Sequence, residues 1–71
     1  MNIFDFLRDR IASCPSYGFV QGNQLLDMVL RAAYSDPDLT SEQYHNIIRL
    51  AHWARIKIME DNYNEGWNQN P

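Results

Sequence analysis

Apolar residues at the start of the chain recur at Ile3, Leu7, Ile11 and Cys14, the spacing of one helix face. Phe4 and Phe6 widen that face, while Asp5, Arg8 and Asp9 point to water. Asn2 is placed to cap this helix, and Pro15 ends it, so the pattern predicts a helix over about 3–14. The next stretch, "PSYGFVQGN", is punctuated by Pro15, Gly18 and Gly22 and reads as a loop. Its Tyr17, Phe19 and Val20 are apolar, so the loop is expected to fold back onto the core. Asn23 then caps a second helix over about 24–34. Leu25, Met28, Val29 and Ala32 form its stripe, broadened by Leu26, Leu30 and Ala33, as for the central member of a bundle. Asp27 and Arg31 are set for an i,i+4 pair on the wet side. "SDPD" is a turn.

The third helix has the clearest entry signal. Thr40 and Gln43 make a capping box, and Leu39 with Tyr44 makes a hydrophobic staple. Beyond that start the pattern conflicts with itself. At about 100° per residue, Tyr44, Ile47, Ile48, Ala51 and Ile58 share one face. Trp53 falls roughly opposite Tyr44, and Arg55 lands inside the apolar stripe. A bend or break near Ala51–Trp53 would repair both faults, turning Trp53, Ile56 and Met59 inward. The expected architecture is therefore an all-α, compact four-helix bundle with helices at about 3–14, 24–34, 41–51 and 53–68. One continuous helix over the last two is the alternative. Tyr63 and Trp67, at i,i+4, belong to the closing turns.

Two segments carry a resemblance. "AYSDPDLTSEQYHNII" (33–48) and "NYNEGW" (62–67) resemble the small bacterial YozE-type proteins with a sterile-alpha-motif-like (SAM-like) fold. The matching residues are Ala33, Tyr34, Asp36, Thr40, Ser41, Tyr44, Ile47, Tyr63 and Trp67, and "NIFDFL" fits the family's aromatic first helix. The turn before Thr40 is shorter than the family's, with Leu39 where a Phe-Pro step is usual. The resemblance implies a SAM-like bundle without an established catalytic site. Its fold class serves protein–protein and nucleic-acid contacts elsewhere, which is an analogy of fold alone.

Size and composition narrow the function further. A chain of 71 residues forms one domain, 1–71. A domain this small hides only roughly 60% of the surface that its unfolded form exposes. Little apolar surface is left to wall a substrate pocket, so a non-enzymatic role without a cofactor is expected. The net charge of −3 gives no counterion-release grip on nucleic acid as a default. The single cysteine, Cys14, cannot close an internal disulfide, and "MNIFDFLRDR" holds neither a basic leader nor a continuous apolar span. The expected location is the cytoplasm, away from membranes.

Candidate chemistry is sparse. His45 and His52 stand seven residues apart, about 10.5 Å along a helix, too far to share a metal. Cys14 lies near a helix C-terminus, where the dipole disfavours a thiolate, and is expected to be a buried structural thiol. Leu50, Trp53 and Ile56 form the candidate partner surface unless the bend buries them, pointing to protein–protein binding or self-association. Asn46, Arg49 and Lys57 are the candidate nucleic-acid contacts in the alternative, with the third helix as reader. Glu42, Glu60 and Asp61 flank that basic group and oppose this reading.

Overall fold

The structure is a computed structural model that describes residues 2–68, with side-chain surroundings for residues 2–63. Helix α1 spans Ile3–Ser13, a 3-10 turn spans Cys14–Tyr17, α2 spans Phe19–Ser35 and α3 spans Ser41–Asn68. There is no strand among the described residues.

The caps read from sequence for α1 and α3 form as expected. The Asp5 amide donates to Asn2 Oδ1 at 2.9 Å. At α3, the Gln43 amide donates to Thr40 Oγ1 at 3.0 Å, and the Thr40 amide donates to Gln43 Oε1 at 3.1 Å. These bonds satisfy amides that the first helical turn leaves without partners. Leu39 and Tyr44 are both half-buried against the core. In the turn, Asp36 Oδ1 accepts from the Asp38 amide at 2.8 Å.

Each helix contributes a stripe to one core. Leu7, Ile11 and Cys14 pack with Leu26, Val29 and Ala33 of α2 and with Ile47, Ala51, Ala54 and Ile58 of α3. The α3 set follows i, i+4, i+7, i+11, the seam of a straight helix. The seam of α2 runs through Gly22, Leu26, Val29 and Ala33. The expected stripe is thus displaced, and Met28 is 66% exposed.

Three expectations about where elements begin and end are also corrected. Among the described residues the bundle has three α-helices, not four, because the break near Ala51–Trp53 does not occur and the continuous alternative holds: α3 is one rod of 28 residues. Breaking a helix orphans up to about four amides and four carbonyls, each worth about 1 kcal/mol. Covering the remaining face of one indole returns at most about 3 kcal/mol. No proline or glycine lies between Ser41 and Glu65 to lower the cost of a break.

The loop expected over residues 15–23 is the second correction. It is a 3-10 turn followed at once by the first turn of α2, with Gly18 at φ 89° reversing the chain between them. The 3-10 turn packs against α2 and α3 through the buried Cys14, yet Tyr17, Phe19 and Val20 stay exposed.

The third correction concerns Asn23, which is an interior residue of α2 and not its cap. Its Nδ2 donates to the Phe19 carbonyl at 2.9 Å. The burial of Trp67 lies outside the described side chains.

Candidate interaction surface

The seam of α3 fixes what faces outward. With Ile47, Ala51, Ala54 and Ile58 on the buried side, about 100° per residue places Arg49, Trp53, Ile56 and Glu60 on the opposite side. Trp53 and Ile56 are each 44% exposed. Arg49 is exposed and makes no ion pair with any described residue. Glu60 Oε2 lies 3.8 Å from Lys57 Nζ, a loose i,i+3 contact. The stripe therefore reads cation, indole, aliphatic, anion at steps of four, three and four residues.

The candidate residues separate on this rod. Trp53 and Ile56 sit together on the outward stripe. Leu50 belongs to the flank and is half-buried against the core. Asn46, Arg49 and Lys57 are all exposed, but they are interleaved with Trp53 and Ile56 and do not form a separate basic face.

Arg55, which the helical wheel turns inward, is accommodated by α2. Its Nη2 donates to Asp27 Oδ1 at 3.0 Å and its Nη1 to Asn23 Oδ1 at 3.1 Å. Asp27 thus pairs across the helix interface and not with Arg31, its expected partner. A clue was present in the sequence: Asn23 and Asp27 at i,i+4 form a two-acceptor face for a guanidinium. Only the pairing of α2 with α3 tells which arginine takes it.

Elsewhere the surface is shallow. A groove of about 310 Å³ between α1 and α2 is lined by Arg10, Tyr17, Gln21, Gln24, Leu25 and Met28. A smaller hollow of about 240 Å³ sits at the α2–α3 turn, with Tyr34 and Tyr44 on its wall. Their rings meet edge-on at 6.3 Å between centroids. Cys14 is buried, its thiol donates to the Arg10 carbonyl at 3.2 Å, and burial pushes its pKa up. A thiol so placed is a poor nucleophile. His45 and His52 are both exposed. No group of three or more His, Cys, Asp or Glu among the described residues is placed to hold a metal ion. No helix among the described residues is long and apolar enough to cross a membrane.

No family model, curated protein or solved structure matches this chain.

Proposed function

We propose that the protein is a non-enzymatic interaction module that binds a protein partner, a different chain or a second copy of its own, through the outward face of α3. The observation that supports this is the half-exposed pair Trp53 and Ile56 on an unbroken helix, with Arg49 beside them. Tryptophan and arginine are the residue types most enriched where binding energy concentrates. The resemblance to YozE-type, SAM-like proteins is part of the same proposal, because that fold class acts through surface contacts.

The test is capture from lysate on the immobilised protein, with a W53A/I56A variant as control. A protein retained by the wild type and lost from a variant of unchanged helicity supports the reading. Equal retention by both removes it. Binding of mixed duplex DNA that weakens steeply with salt would instead favour nucleic-acid recognition by Asn46, Arg49 and Lys57.

A further inference from the structure

The outward stripe of α3 is complementary to itself when reversed. We infer that its partner is a second copy of this chain, docked with the two α3 helices antiparallel. This rests on the binding role proposed for the face. It goes further by naming the occupant and the register.

The pattern along the stripe is Arg49, Trp53, Ile56, Glu60. Read from the other end it is Glu60, Ile56, Trp53, Arg49. Laid against each other in opposite directions, the two copies place Arg49 opposite Glu60 of the second copy. Trp53 then lies opposite Ile56 of the second copy. A two-fold axis repeats both contacts, as an isologous interface requires. The ion pairs end up at the two ends of the stripe, about 16 Å apart at 1.5 Å per residue. The apolar pairs fill the space between.

Competing arrangements are worse. A parallel pairing sets Arg49 against Arg49 and Glu60 against Glu60 of the second copy. Sliding one copy by about one turn brings Arg49 over Ile56 of the second copy, or Glu60 over Trp53. Either slip presses a charge onto an apolar side chain and leaves it without its counter-ion. Charge thus selects both direction and register. Among the described residues the monomer leaves these groups available: Arg49 has no ion-pair partner there, and the one ion pair of Glu60 there is the 3.8 Å contact to Lys57.

The area sets the strength. A stripe about 16 Å long on a helix about 10 Å across lies well below the ~800 Å² per partner of a standard interface. The dimer is weak and reversible, in the micromolar-to-millimolar range.

The experiment is sedimentation equilibrium up to about 1 mM chain, with far-UV circular dichroism to verify each fold. Wild type should show a monomer–dimer equilibrium. R49E and E60R should each weaken it by about tenfold or more, since each replaces two attractive pairs per dimer by two repulsive ones. R49E/E60R should restore it, and an equimolar mixture of R49E with E60R should associate as a mixed dimer. A wild type that is monomeric at 1 mM overturns the self-pairing but leaves capture of a different protein to be judged by the W53A/I56A comparison. Dimerisation indifferent to the single reversals overturns the register. Failure of the double reversal to restore association does so too.

Discussion

Gly22 is the position where the packing can be tested most sharply. It is buried inside α2, and a Cβ added there would lie 2.6 Å from the Cys14 carbonyl oxygen and 3.2 Å from Ile58 Cδ1. Ile58 can turn a flexible tip aside. The carbonyl belongs to the backbone of the 3-10 turn, which is anchored by the buried Cys14 side chain. Reaching the ~3.3 Å of a close C–H···O contact requires that turn to lift by about 0.7 Å. Gly22→Ala gains about 1 kcal/mol in helix propensity. Overpacking of a filled core costs about 1–3 kcal/mol. Lifting the turn also gives up about a quarter to a half of its dispersion contacts. The net expectation is a loss of about 1–2 kcal/mol, or roughly 5–15 °C in Tm for a domain of this size. Urea and thermal unfolding followed by circular dichroism would measure it. Adding Ile58→Val should not restore stability, because the closest contact is to backbone. A Gly22→Ala protein as stable as the wild type would refute the close approach of the 3-10 turn to α2.

The remaining predictions probe other contacts. Trp53→Ala should change stability by less than about 1 kcal/mol, since the indole is half exposed and alanine favours helix, whereas Ile58→Ala should cost about 2–5 kcal/mol. Comparable losses in urea titrations would mean that Trp53 is a core residue. Arg55→Ala should cost about 1 kcal/mol through its bonds to Asp27 and Asn23, and a double-mutant cycle with Asp27→Ala should show coupling of about 0.5 kcal/mol that fades with added salt. Thr40→Ala should cost about 1 kcal/mol, and Gln43→Ala should add less on that background because the two bonds act as one box. Cys14 should react with a thiol reagent only on unfolding. Its raised pKa stabilises the fold below the ordinary thiol value of 9.0, and that stability should fall as pH rises from there through the higher folded value. A Cys14→Ala protein should lack this alkaline loss.

What could be read from the sequence was whatever neighbouring residues settle among themselves. Asn2, and Thr40 with Gln43, announce helix starts because a cap is a bond between residues three apart. The Asp36 turn is equally local. Gly18 and Gly22 show the limit. Both look like loop punctuation, and Gly18 does turn the chain. Gly22 is instead a helix residue kept small by a carbonyl from another element. Tyr17 and Phe19 are exposed for a related reason: apolar character predicts a wish for burial, and which faces the packed elements cover decides whether it is met.

The candidate surface divides in the same way. The sequence by itself determined that Trp53 and Arg55 could not both suit a straight, isolated α3, because a period of 3.6 residues places them relative to Ile47 and Ile58 whatever the rest of the chain does. Only the tertiary structure decided how the conflict ends. It sets Asn23 and Asp27 of α2 against Arg55, so the arginine needs no bend to reach polar partners, and the rod stays whole with Trp53 and Ile56 outside. Those partners lie about thirty positions away along the chain, and periodicity within one helix carries no information about which face of another will meet it.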